Sequence, residues 1–278
     1  MKNDSLLIMV AGASSRMKKS LEKAQLSKTA FEIAKQQHKS LIPLGAAQRP
    51  MLYHLLKNAM HAGIREIYLI TSESNQGFKE FVKTYKADFA SLQFRFAIQY
   101  LPKGRRKAIG TADAVTQCLA QYPELLEQRF AVCNGDNLYS VSALLALRDH
   151  READHALIAY DRDALKFPDE KIARFALLVL SREGHLTGIV EKPEPDTIGQ
   201  YRDPRGKLRV SMNIYNFYGK TLLPFLESCP LHPVRDEKEL PNAVATMAQT
   251  KQKSVLGILR AEHVPDITNA EDVKDFYL

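Results

Sequence analysis

Cysteine is scarce in this 278-residue chain. The three present, Cys118, Cys133 and Cys229, have no even pairing and no metal-site spacing. That excludes a disulfide framework and fits free thiols in a reducing cytoplasm. The eight histidines show neither HxxxH nor HxH spacing, so a zinc centre is not expected. No apolar run approaches the roughly 18 residues of a membrane span. The opening MKNDSLLIMVAG is no secretory leader, because its short apolar run flows directly into what reads as a first strand. Both common nucleotide fingerprints, GxGxxG and the GxxxxGK(S/T) P-loop, are missing. So are zinc-finger spacing, a basic helix with heptads and an RNA-binding aromatic signature, which leaves charge alone to argue for nucleic acid. No repeat period or low-complexity linker is present. These absences point to a cytoplasmic protein with neither a membrane nor a nucleic acid as partner.

What is present describes a globular α/β chain. Hydrophobic residues make up 45% and charged residues 26%, with a net charge of +7. The excess of positive charge suits an anionic partner such as a nucleotide or phosphate, and equally a solvated lysine surface. The length suits one domain with a sizeable core. Short apolar runs mark strands at 6–10, 66–71, 94–99, 130–134, 155–159, 175–180, 188–190, 210–217 and 254–259. Helical spacing of apolar residues appears at 50–62, 78–86, 112–121, 140–149 and 220–226. Alternation in the first half predicts a parallel sheet with helices on both faces, and the strand-rich second half makes the sheet mixed. The expected fold is therefore a Rossmann-like three-layer α/β/α domain with a mixed, mostly parallel central sheet. Segments 193–207 and 229–238 read as loops, and 18–38 as a polar stretch rich in helix formers.

The stretch LLIMVAGASSRM, residues 6–17, carries the first functional signal. An apolar strand ends in Ala11, Gly12, Ala13, Ser14 and Ser15 before Arg16. Small residues let backbone N–H groups approach a polyphosphate, and an arginine neutralises its charge. An ordinary strand-to-helix turn with a solvated arginine has the same appearance. Ser14 and Ser15 lack a paired His–Asp pattern, so a hydrolase triad is rejected.

Taken with later segments in order, this stretch resembles the sugar-phosphate nucleotidylyltransferase family. VAGASSRM followed by HKSLIPLG is similar to its Gly-rich signature and lysine segment, with Lys39 at the lysine position and Pro43 at the later proline. GTADAV (110–115) resembles the base-contacting loop, NGDN (134–137) the strand-end metal site and VEKP (190–193) the sugar-contacting Glu-Lys. VSMNIYNF (210–217) resembles a substrate-facing strand. DEKELPNAV (236–244) and PDITNAEDV (265–273) resemble late motifs. The match runs from about residue 6 to 276. The chain departs at Ala13, Ser14 and Ser15 in place of two glycines and a threonine, at His38 in place of proline, at Ile214 in place of glycine, and in a longer gap between Arg16 and Lys39.

The resemblance implies a single nucleotidylyltransferase domain over 1–278, with a nucleotide-binding half about 1–140 and a sugar-phosphate half about 141–278. It implies transfer of a nucleotidyl group from a nucleoside triphosphate to a sugar 1-phosphate, with pyrophosphate released. Arg16 and Lys39 are then catalytic. Ala11, Gly12, Ala13, Ser14, Ser15, Gln99, Gly110 and Thr111 contact the nucleotide; Glu191, Lys192 and Asn213 contact the sugar phosphate. Asp136 and Asp266 hold Mg²⁺, a hard cation that takes oxygen ligands and often needs only one or two carboxylates.

Rival readings stand beside these. Asp136 reads as a turn aspartate, Asp266 or Thr268 as the cap of a helix near Ala270, and Thr111 as a helix N-cap. Glu191 and Lys192 read as a charged strand-end pair, and Asn213 as a satisfied half-buried amide. Gln99 resembles the glutamine of members using UTP or dTTP, whereas GTADAVTQ and VSMNIY are also similar to ADP-glucose-forming members. The expected substrates are UTP or dTTP with glucose 1-phosphate. The alternatives are a cytidylyltransferase acting on a non-sugar phosphate such as phosphocholine, or a non-catalytic nucleotide sensor on the same fold. A homo-oligomer is left open.

Overall fold

The computed structural model describes residues 3–12, 14–21, 31, 38–105, 107–149, 151–191 and 193–273. Ala13, Lys192 and most of the polar stretch 18–38 lie outside the described residues, as does the side chain of Ser15. The strands are β1 (Ser5–Met9), β2 (Pro43–Leu44), β3 (Arg49–Pro50), β4 (Glu66–Thr71), β5 (Gln93–Ile98), β6 (Arg129–Asn134), β7 (His155–Asp161), β8 (Leu177–Leu180), β9 (Leu186–Val190), β10 (Arg209–Tyr218) and β11 (Val255–Arg260). The helices are α1 (Ser15–Ser20), α2 (Met51–His61), α3 (Gln76–Thr84), α4 (Thr111–Gln121), α5 (Val141–Arg148), α6 (Asp169–Ile172), α7 (Gly219–Glu227) and α8 (Leu240–Thr250).

Nine of the strands form one sheet in the order β11-β7-β10-β6-β1-β4-β5, with β8 attached to β10 and β9 to β8. β1 lies parallel between β4 and β6, β5 runs parallel outside β4, and β11 runs parallel to β7. β10 inserts antiparallel between β6 and β7, so the sheet is mixed and runs on across the boundary near residue 140. A strand alternates its side chains across the sheet, and β1 shows how this makes three layers. Leu6 and Ile8 pack on one face with Leu52, Leu55 and Leu56 of α2. Leu7 packs on the other with Val115 of α4 and Val244 of α8.

Each of the nine expected sheet strands is present, as are the five expected helices. Several elements are additions, among them short helix α6 and the three that follow. Helix α8 buries Leu240, Ala243, Val244, Met247 and Ala248, an i, i+3, i+4, i+7, i+8 stripe with a proline in its first turn. A hairpin joins β2 to β3 through Gly45 and Gln48, both at positive φ. A 3-10 segment, Pro195–Tyr201, interrupts the loop expected over 193–207. No helix among the described residues is long and apolar enough to cross a membrane.

Candidate active site

A cleft of about 780 Å³ opens at the carboxyl ends of β1, β4, β5 and β6, where parallel sheets place ligand-binding loops. Ala11, Gly12, Ser14 and Arg16 line it from the turn after β1. Lys39 and Asp136 line its floor, and Gln99, Gly110 and Thr111 the opposite wall. Gly12 lines the cleft, and a side chain added there would meet open space.

Ser14 adopts a left-handed conformation (φ 52°), and its hydroxyl accepts a hydrogen bond from the Lys39 amide at 3.2 Å. That contact joins two segments 25 residues apart in sequence. Lys39 opens a 3-10 turn, Lys39–Leu41, whose N-cap is His38. The His38 Nδ1 accepts from the Ser40 amide at 3.2 Å and contacts the Ser40 hydroxyl at 2.8 Å. Burial lowers the His38 pKa to about 4 against the pull of Asp136. The imidazole is therefore neutral at pH 7 and orients Lys39 without adding charge.

Asp136 reaches the floor because Gly135 lies flat on β1. Its amide donates to the Met9 carbonyl at 3.2 Å, and an added Cβ would run into Val10. One residue on, Asp136 forms an ion pair with Lys39, both side chains being mostly buried (18% and 11% exposed). Asn137 and Asp266 form an antiparallel bridge, with Ile267 N donating to Asp136 O and Leu138 N to Pro265 O, each at 2.9 Å. This pairing brings the two carboxylates expected at a metal site onto adjacent stretches of backbone. Burial first, and then the Asp136 charge, raise the Asp266 pKa from its ordinary value. Asp266 does not cap a helix here. It accepts from the Thr268 hydroxyl, while Asp272 accepts from the amides of Thr268 and Asn269 at 2.7 Å.

A second cation, Lys171 of α6, had no signal in the sequence. Its ammonium lies 3.1 Å from Asp266 and 3.3 Å from Asp272, over the Phe167 ring. Two lysines thus flank two carboxylates. The donors are all oxygens on paired backbone, a set that fits a hard divalent cation sharing its shell with phosphate and water.

On the base side, Gln99 is 5% exposed. Its amide NH₂ donates to Gly110 O and to Asp113 Oδ2, both at 2.9 Å. These two acceptors fix the orientation of the amide, and its carbonyl oxygen is the atom left to meet a base. Gly110 has φ 119° and passes so close to the Lys238 backbone that no Cβ fits. Thr111 is not an N-cap of its own helix; its hydroxyl accepts from Leu240 N at 2.9 Å and so ties α4 to the start of α8.

Glu191 and Asn213 are not among the residues lining the cleft. Glu191 pairs with Arg235 at 2.6 Å, and Arg235 also pairs with Glu239 at 2.8 Å. Glu191, Glu239 and His232 are close enough to suggest a metal site, but the Arg235 guanidinium already pairs with both carboxylates. Asn213 sits at φ 55° in a bulge of β10, where its side-chain oxygen accepts from the Tyr215 hydroxyl at 3.1 Å.

Residues 30–264 match the family model described as nucleotidyl transferase. The chain belongs to the nucleotidyl transferase family. This is the family that the ordered motifs from VAGASSRM onwards resemble. The chain is 27% identical over 177 residues to a glucose-1-phosphate adenylyltransferase of Koribacter versatilis (strain Ellin345), an alignment taking in 62% of this chain and 41% of that protein. It thus spans less than half the length of the curated relative it matches. Its fold is similar to a crystal structure of UDP-glucose pyrophosphorylase complexed with UDP-glucose, with a TM-score of 0.69, 16% identity, and coverage of 99% of this chain and 97% of that one.

Proposed function

We propose that this chain is a sugar-1-phosphate nucleotidylyltransferase, joining a nucleoside triphosphate to a glucose 1-phosphate-like substrate. The observation that carries the reading is the convergence of Arg16, Lys39 and Asp136 on one cleft beside an open glycine turn. A phosphate oxygen of the sugar phosphate attacks the α-phosphorus, a new P–O bond forms, and the bond to the β-phosphate breaks to release pyrophosphate. Both reactants are anions, so positioning and cationic charge dominate the catalysis. The peptides after β1 hold the triphosphate oxygens, Arg16 closes over them, and Lys39 balances charge at the pentacoordinate centre. Asp136 and Asp266 would hold Mg²⁺, which when bound neutralises phosphate charge as a Lewis acid. The Gln99 carbonyl oxygen suits a donor on the base, such as N3–H of uracil or thymine, and also the amino group of adenine. Glu191 and Asn213 offer acceptors for sugar hydroxyls, with Arg235 as a cation beside them.

The test is pyrophosphate release from UTP, dTTP, ATP and CTP, each with glucose 1-phosphate or phosphocholine, with and without Mg²⁺. Turnover of one nucleotide with glucose 1-phosphate, abolished by chelator, is the expected result. Tight nucleotide binding without turnover on any pair overturns the enzymatic reading.

A further inference from the structure

We propose that Arg105 and Lys107 are positioning residues that lock the base-side loop to the segment carrying Arg235, so that filling the base side of the cleft sets the cation facing Glu191. The proposal rests on the nucleotidylyltransferase reading above. Neither segment has a core of its own. Tyr100 and Leu101 in one, and Leu231 and Val234 in the other, are 52%, 47%, 46% and 87% exposed. Gln117 of α4 holds Tyr100 at one end and internal turns brace the other segment, but charged side chains tie each segment to the other. Arg105 donates to the Asp236 carbonyl at 2.6 Å and pairs with its carboxylate at 2.7 Å. Lys107 donates to the Arg235 carbonyl and pairs with Glu237 at 3.1 Å. Lys238 N donates to Ile109 O, and Ala112 N donates to Lys238 O at 2.9 Å.

These contacts converge on Arg235. Its carbonyl is held by Lys107, its amide donates to His232 Nδ1 at 3.1 Å, and its guanidinium is shared by Glu191 and Glu239. The second carboxylate oxygen of Glu239 is buried without a hydrogen-bond partner, so Arg235 is the main restraint on that side chain. At the other end, Gln99 donates to the Gly110 carbonyl, and the Gly110 peptide packs on Lys238. A base seated against Gln99 therefore bears on the backbone that fixes Arg235. A plain phosphate-binding role fits Arg105 poorly, because its guanidinium is already committed to Asp236 and it does not line the cleft.

Coupling between two sites is a measurable ratio of affinities and is reciprocal. Calorimetry would titrate glucose 1-phosphate into the protein with and without the α,β-imido analogue of whichever nucleotide turns over. In the unaltered protein the analogue should tighten sugar-phosphate binding at least about 5-fold, within the usual range of coupling. Arg105→Ala should cut that factor below about 2-fold while leaving affinity for the analogue alone within about 2-fold, and Arg105→Lys should restore it. Asp236→Asn, which tolerates the left-handed backbone at φ 54°, approaches the latch from the other side and serves if the arginine variant does not fold. Full coupling in both variants overturns the latch, and so does a loss of nucleotide affinity as large as the loss of sugar-phosphate affinity. Turnover with no coupling in the unaltered protein overturns the latch alone. Absence of turnover with every nucleotide removes the reading beneath it, and the latch falls with it.

Discussion

Lys39 and Asp136 neutralise each other, so removing either leaves an unpaired charge as well as a missing contact. Lys39→Ala and Asp136→Ala should each lower kcat about 100-fold or more, the usual size of a single electrostatic contribution to a transition state. Pyrophosphate-release kinetics check this. Glu191→Gln should act differently, raising KM for the sugar phosphate with little change in kcat, because it removes binding common to ground and transition states. A third prediction concerns His155, which is 1% exposed and accepts from Tyr218 N through Nδ1. Burial lowers its pKa from 6.5 to about 3. The unfolded chain therefore takes up a proton that the folded chain refuses. Stability should be intact above pH 6.5 and fall by roughly 1 kcal/mol per pH unit between 6.5 and 3, as read from urea midpoints. Replacing His155 with Gln should flatten that slope.

Residue roles were only partly legible in advance. Arg16 and the turn after β1 form a local pattern whose chemistry can be read from the residues themselves, whereas Lys39 and Asp136 stand out only through the resemblance of HKSLIPLG and NGDN to family motifs. Lys171 and Arg235 cannot be found that way. Lys171 meets Asp266 95 residues away and Arg235 meets Glu191 44 residues away, and a surface-type cation carries no mark of the distant carboxylate it will meet. The commitment of the Gln99 NH₂ group to Gly110 and Asp113 was hidden for the same reason.

At the scale of elements, the base-side wall depends on one glycine. Gly110→Ala places a side chain at φ 119° and against the Lys238 backbone. Strained positions of this kind cost about 1–3 kcal/mol, and here the loop carrying Gln99 and Thr111 must shift to relieve the clash. The expected outcome is a raised KM for the nucleotide together with a lower melting temperature, measured side by side. Strands were the most readable elements, because the buried runs of β1, β4, β6 and β7 are short, apolar and β-branched or leucine-rich. Helix α8 was read only as part of a motif, although Pro241 and the stripe from Leu240 to Ala248 are ordinary helix signals. The β2–β3 hairpin was unreadable, since two-residue strands leave too little alternation to detect.

At the scale of the whole molecule, the two large apolar layers on either side of the sheet are separate from a third, small cluster. Met17, Leu21, Ile42, Leu44, Met51, Ile267 and Ala270 form it, all buried. Its members adjoin Arg16, follow Lys39 and follow Asp266 in sequence, so the three segments proposed to face phosphate and metal share one apolar anchor. Ile267→Ala should cost about 2–5 kcal/mol where it packs. Because that cluster is small and Leu138 packs against both it and a main layer, much of the loss should appear as local opening. Hydrogen exchange should show faster amide turnover at 38–44 and 265–270, with β1, β4 and β6 still protected. The same arrangement implies that mild denaturant silences such a protein in two stages. Its chemistry would disappear while circular dichroism still recorded an intact sheet, since the groups proposed to handle phosphate hang from a knot of only seven buried side chains.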